Sequence, residues 1–505
     1  MFSFFNNFLS FYVYLPEIFL CSTLIMLYFF LIYDRKDLFV INVATNEVKR
    51  KFLSINNSLI FLIMFILVLL FYLYCNNYNG YFEIDSFGIS PVILFTKQVY
   101  TGLTLLAFVL FIRYNRDIKY LRFEFFFAFL FVSMSSLLLL QANNLISFYI
   151  VVEIQSIVLY FLIAFDRTSS VSAEAGLKYF LISILMSTLF LLGVALIYIT
   201  FGTTNLSYLS LLLYKLTGMG FAIYGFLFIL IFILFKLAVV PFHFWALEVY
   251  EGASWPVIGV LSVLSKLPLV FFLIKLFLIL GLDMNLNFNL NILLIILNFF
   301  GVISILVGTF GAVYYISLRK ILVYSGIANI GYILLALGSS NFLVVVFSYI
   351  YFLVYSLSLL LLIYLVLFVF GFTYKDYSYQ FKGLALKYPY LSFLFLILFF
   401  IFIGLPPLVG FWTKFLLLYG IIVSGAYFKA LFIFVSNILA AVYYLRVIRE
   451  IYFGKSLVET KLKNKSKESL VDYIFLYIFV FLILSLVAIL FNFDLVIWII
   501  LKFFI

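Results

Sequence analysis

The stretch "LFKLAVVPFHFW", residues 234–245, sets a lysine, a proline and the only histidine of the chain within otherwise apolar and aromatic sequence. Pro241 has no amide hydrogen and its ring crowds the preceding turn, so a helix carrying this stretch breaks near it. Lys236 is costly if lipid surrounds that helix, because a charge at the bilayer centre is unfavourable by about 2.5–3.5 kcal/mol on insertion scales. Composition says that lipid does surround it. Of 505 residues, 67% are hydrophobic and only 10% charged, where a soluble domain has about 25% charged. The apolar runs are long and lack period-2 alternation, so they read as helices rather than barrel strands. The expected fold class is an all-α polytopic membrane protein.

A helical crossing needs about 20 apolar residues. The sequence offers fourteen such spans: 11–33, 58–75, 87–112, 123–142, 145–165, 175–201, 221–247, 253–280, 290–316, 320–339, 341–370, 390–424, 428–452 and 472–500. They are numbered one to fourteen below. Span twelve is too long for one straight crossing, and "GLPPLVG" (404–410) breaks it in the middle. The loops after odd-numbered spans, with the span ends that adjoin them, hold 22 Lys/Arg and those after even-numbered spans hold two, Lys215 and Lys429. Basic residues gather on the inner side of a membrane, so this alternation supports the count and puts both termini outside. It also accounts for the net charge of +11, which faces the inner compartment and its anionic lipids. The basic run 455–469 then reads as a solvated inner loop, and no nucleic-acid partner is implied.

Six lysines remain within spans: Lys97, Lys178, Lys236, Lys266, Lys275 and Lys414. Lys178 has Glu174 one turn earlier and can snorkel with it at the start of span six. Lys275 lies near a span end, where snorkelling and a buried role are equally open. Lys97 stands beside Gln98 and is undecided. Lys236, Lys266, Lys414 and the single mid-span acid, Glu153, lie near the middle of their spans. Glu153 has no basic residue one turn away, so its partner must come from another helix, most naturally a lysine of span seven or eight. Pro241 follows Lys236, and Pro406 and Pro407 precede Lys414. Broken helices beside buried charges are a mark of transporters. Their occurrence in spans seven and twelve, five spans apart, hints at two repeats. His243 is either a packing residue or a proton relay, since imidazole titrates near neutral pH.

Two cysteines, Cys21 and Cys75, cannot ligate an iron–sulfur cluster, and one histidine cannot supply bis-histidine haem ligation. Redox chemistry within this chain is not expected. The first twenty residues contain no Lys or Arg, unlike a signal or transit peptide. Heavy use of Phe, Leu, Ile, Tyr, Asn and Lys suits an AT-rich, organelle-like genome.

Several segments together resemble the NADH dehydrogenase subunit 2 family, the antiporter-like membrane subunits of respiratory complex I. They are "LPEIFL" (15–20), "EIQS" (153–156), "EAGLKYFL" (174–181), "FKLAVVPFHFWALEVYEGA" (235–253), "LSVLSK" (261–266), "SLRKILVYSGIANIGY" (317–332), "FKGL" (381–384) and "GLPPLVGFWTKF" (404–415). The resemblance spans nearly the whole chain in order and spacing, and "EIQS", "EAGLKYF" and "VYEG" favour subunit 2 over the paralogous subunits 4 and 5.

The resemblance implies about fourteen transmembrane helices with helices 7 and 12 broken and two inverted five-helix repeats. The implied organisation is 1–122 for helices 1–3, 123–280 for the first repeat (helices 4–8), 290–452 for the second (helices 9–13) and 453–505 for an inner loop and helix 14. It implies proton translocation along a buried axis. Glu153 matches the helix-five glutamate, Lys236 the helix-seven lysine paired with it, Lys266 the central lysine and Lys414 the lysine near the exit. His243 matches a possible relay. A buried amine suits such work because it gives up its proton more readily than an amine in water. NADH, FMN, iron–sulfur clusters and ubiquinone would belong to other subunits, with no cofactor in this chain. Partners would be other membrane-arm subunits and phospholipids. The implied location is the mitochondrial inner membrane with both termini on the intermembrane-space side, the alternative being a bacterial or plastid energy-transducing membrane. Three positions depart from the family pattern: Asn329 where histidine is common, Trp255 in "GASWPV", and Glu248 where aspartate is usual. A sodium (or potassium)/proton antiporter subunit of the same fold is the alternative function.

Overall fold

A computed structural model describes Glu17 and residues 82–84, 87–117, 123–166, 169–215, 220–279, 288–370 and 381–454. Spans one, two and fourteen, Cys21, Cys75 and the segments 1–81 (Glu17 apart) and 455–505 lie outside the described residues. Over the rest, helices form where the apolar runs predict them. Spans three to six are Pro91–Asp117, Phe123–Gln141, Leu145–Ile163 and Ser170–Phe201; spans nine to eleven are Phe288–Tyr314, Leu318–Leu337 and Phe342–Phe370; span thirteen is Tyr427–Phe453.

Both expected breaks are present. Span seven divides into Ala222–Lys236 and Phe244–Gly252, and span twelve into Pro389–Ile403 and Val409–Val423. In span seven the connecting turns contain Ala238 with φ of 61°, a left-handed conformation uncommon for a residue with a Cβ. In span twelve the first half ends on Gly404 with φ of 82°, where glycine alone avoids the steric penalty. Span eight starts at Trp255 and widens into a π turn over Val260–Leu264, marked by the Ser265 amide donating to the Val260 carbonyl at 2.9 Å.

The boundaries depart from the sequence reading in three places, each for a local reason. Residues 87–89 are a strand paired antiparallel with Phe82–Ile84 rather than the start of span three. The helix begins instead at Pro91, whose fixed φ suits a first turn, and Ser90 Oγ accepts from the Ile93 amide. Span six begins at Ser170, so Glu174 and Lys178 fall within its first turns. A short helix, Leu206–Lys215, occupies an expected loop, its first turn capped by Asn205 Oδ1 accepting from the Ser207 amide.

The packing places spans eight and ten in the interior, enclosed along almost their whole length, while spans six, nine and thirteen are mostly exposed. Their exposed faces are apolar, with Leu177, Leu181 and Leu185 on span six and Phe299 and Phe310 on span nine. Such faces suit lipid or a neighbouring membrane protein. Spans six and seven meet at Gly193 and Gly225, where a Cβ on either would come within 2.8 Å of the other's carbonyl oxygen, the small-residue contact that lets membrane helices approach closely.

Candidate functional site

Lys236, Lys266 and Lys414 are all buried, and Glu153 is half-buried. Lys236 closes the first half of span seven. Its ammonium lies 5.5 Å from the ring centres of Tyr179 and Phe232 and 5.9 Å from that of Phe235, distances at which an aromatic face attracts a cation. Nζ has no hydrogen-bond partner among the described residues. The expected ion pair with Glu153 is therefore not a direct contact: among the described residues no carboxylate oxygen lies within 4.0 Å of Lys236 Nζ. Ser156 Oγ donates to Glu153 Oε2 at 3.3 Å. Tyr160, one turn further on, meets Tyr179 edge-on at 5.0 Å, and Tyr179 faces Lys236.

The second half of span seven is tied back to the first. Trp245 Nε1 donates to the Phe235 carbonyl at 3.1 Å while its ring stacks on Tyr179 at 4.6 Å. His243 stands just before this half-helix, buried, with its ring against Phe244 and 6.3 Å from Tyr324. Among the described residues no hydrogen bond joins it to Lys236 or Lys266, so a relay role has the burial it needs but no direct hydrogen-bonded link.

Lys266 follows the π turn and opens onto a small cavity lined by Tyr250, Ser262, Ile330 and Tyr355. Tyr250 belongs to the second half of span seven, Ile330 to span ten and Tyr355 to span eleven, so this cavity joins helices far apart in the sequence. Tyr355 packs edge-on against Phe402 at 5.7 Å. The Phe402 carbonyl accepts from Lys414 Nζ at 2.7 Å, and the Ile403 carbonyl accepts from it at 3.2 Å. Lys414, on the second half of span twelve, thus satisfies carbonyls that the first half leaves open at its end. Near this line Tyr351 donates to Asn329 Oδ1 at 2.7 Å, and Asn329 serves there as an acceptor.

The remaining span cations are also placed. Lys178 bridges Glu174 at 2.7 Å, as expected, and Glu248 at 2.5 Å. Lys275 does not snorkel; its Nζ donates to the Ala142 carbonyl at 2.8 Å. Lys97 meets Glu17 at 2.5 Å. Arg319, read from sequence as a loop residue, is buried. It donates to the Glu251 and Ala253 carbonyls at 2.7 and 3.0 Å and lies 5.0 Å over the Trp255 ring. It grips the joint between spans seven and eight, which gives Trp255 a partner. Sequence reasoning missed the tyrosines between the lysines. Tyr179 was within reach, because it follows Lys178 in a quoted motif; Tyr355 carries no local signal.

A family model described as NADH:quinone oxidoreductase/Mrp antiporter, transmembrane, matches residues 142–440, a stretch that holds all five candidate residues. "NADH-quinone oxidoreductase subunit N" of Wolbachia sp. subsp. Brugia malayi is 31% identical over 340 residues, 67% of this chain and 71% of that one. "NADH-ubiquinone oxidoreductase chain 2" of Oenothera berteroana is 30% identical over 397 residues, 77% of this chain and 79% of that one. A chain of "Respiratory complex I from Thermus thermophilus with bound Aureothin" matches with a TM-score of 0.66 at 24% identity, covering 81% of this chain and 87% of its own. That last likeness is one of fold.

Proposed function

The chain belongs to the NADH:quinone oxidoreductase/Mrp antiporter membrane family, and from that membership we propose that it moves protons as the subunit 2 type, antiporter-like subunit of a complex I membrane arm. The observation that carries this reading is the set of three buried lysines on broken or widened helices, Lys236 beside the Tyr179 ring and Lys266 on a cavity lined by Tyr250 and Tyr355. Quinone reduction elsewhere in the complex changes the charge at the Glu153 end. The attraction between Glu153 and Lys236 changes with it. A proton then passes through water from Lys236 to Lys266 and on to Lys414, with His243 as a relay beside the first break. The segments 123–280 and 290–452 act as two inverted repeats, with one broken helix in each.

NADH, FMN, iron–sulfur clusters and ubiquinone belong to other subunits in this reading, consistent with two cysteines and one histidine in the whole chain. The other membrane-arm subunits and phospholipids cover the apolar outer faces. The membrane is the mitochondrial inner membrane, with both termini toward the intermembrane space.

The family description also names Mrp antiporters, which supports a second reading as a sodium (or potassium)/proton antiporter subunit. Purification of the chain from its native membrane separates the two. Copurification with an NADH-oxidising, quinone-reducing assembly is expected. Sodium-dependent proton flux in liposomes holding the chain, without such partners, would favour the antiporter.

A further inference from the structure

A second set of buried charges stands apart from the line between Glu153 and Lys414. Lys97, in span three, is fully buried and its Nζ lies 2.5 Å from Glu17 Oε1. Gln141, the last residue of span four, donates through Nε2 to the same carboxylate oxygen at 2.9 Å. The carbonyl of the next residue, Ala142, accepts from Lys275 Nζ of span eight at 2.8 Å. Lys275 shares its helix with Lys266, nine residues earlier, or about 13.5 Å along the axis at roughly 1.5 Å per residue.

The cluster also reaches the helix of Glu153. Gln141 shares span four with Ser136. Ser136 Oγ accepts from Gln155 Nε2 at 2.7 Å, and Gln155 belongs to span five with Glu153. Span three also buries three threonines near Lys97: Thr96, Thr101 and Thr104. A buried ion pair contributes little or no net stability compared with apolar side chains of the same volume, and charges inside membrane helices usually serve a function. A simple anchor between helices needs neither charge.

We propose that Glu17 and Lys97, held by Gln141, form a second proton-carrying site of this subunit, joined to the helices of Glu153 and Lys266 through Gln155 and Lys275. It rests on the proton-translocating reading above. With Glu17 as carboxylate and Lys97 as ammonium the pair is neutral overall. Uptake of one proton from water by the Glu17 carboxylate leaves a single positive charge; its release to water restores the pair, and no other reactant is consumed.

The test uses the assembled complex reconstituted in vesicles, with protons moved per NADH oxidised as the readout. E17Q/K97M keeps shape and removes both charges. The expected result is an assembled complex that still reduces quinone but loses proton yield. Parental yield in that variant overturns the site and leaves a structural pair. If the double variant does not assemble, E17D decides: a protonated-carboxyl band in the turnover-induced infrared difference spectrum should shift, and an unchanged spectrum overturns the site. K266A is run in parallel. Lost pumping in K266A with normal yield in E17Q/K97M rejects only this site, whereas normal yield in both rejects the translocation reading itself.

Discussion

Lys414 Nζ donates to the Phe402 carbonyl at 2.7 Å and so bridges the break in its own span. The lysine that the translocation reading needs as a titrating group is also the group that satisfies the end of the preceding half-helix. Lys414→Met leaves the Phe402 and Ile403 carbonyls without this donor. A buried polar group left unsatisfied costs about 1–3 kcal/mol. The variant is expected to lower the thermal midpoint of the assembled complex as well as its proton yield, and Lys414→Arg to recover the midpoint more than the yield. Equal recovery of both would separate Lys414 from proton transfer.

Gly410 opens the second half of span twelve against the end of the first. A Cβ built there would lie 1.9 Å from the Ile401 carbonyl oxygen, a backbone atom that cannot step aside. Gly410→Ala is expected to prevent assembly. Gly425→Ala is the control: its φ of 78° is strained for alanine, but no atom lies within 4 Å of the new methyl. That strain costs roughly 1–2 kcal/mol, so assembly is expected with reduced stability. Blue-native gels and thermal shift compare the two; normal assembly of Gly410→Ala would contradict the described break.

Lys236 has aromatic neighbours and, among the described residues, no direct ion-pair partner. Replacing a buried cation by an apolar side chain of similar length is often neutral or stabilising. Lys236→Met is therefore expected to assemble with an unchanged or higher thermal midpoint while losing proton yield. A marked fall in stability would point to a direct Glu153–Lys236 ion pair in the working state.

The sequence made the framework legible because lipid imposes a simple rule: a spanning helix must be long and apolar. The breaks at Pro241 and at Pro406–Pro407 were equally legible, since proline acts on its own backbone. Contacts between distant residues were not. Glu17 and Lys97 are eighty positions apart, and nothing local to either specifies the other. Arg319 looked like a loop cation because it begins a helix next to Lys320; its burial depends on the carbonyls of Glu251 and Ala253, supplied by another span. Glu153 and Lys236 were expected to touch because a carboxylate and an ammonium attract. Lys236 sits instead against the rings of Tyr179, Phe232 and Phe235, which charge pattern alone could not reveal.

The central claim is that protons pass by way of the buried lysines, with Lys266 at the centre where its cavity meets Tyr250 and Tyr355. The most direct measurement is the number of protons moved per NADH oxidised by the reconstituted complex carrying Lys266→Ala. The account predicts an assembled complex that has lost pumping; an assembled complex with the parental proton yield would contradict it.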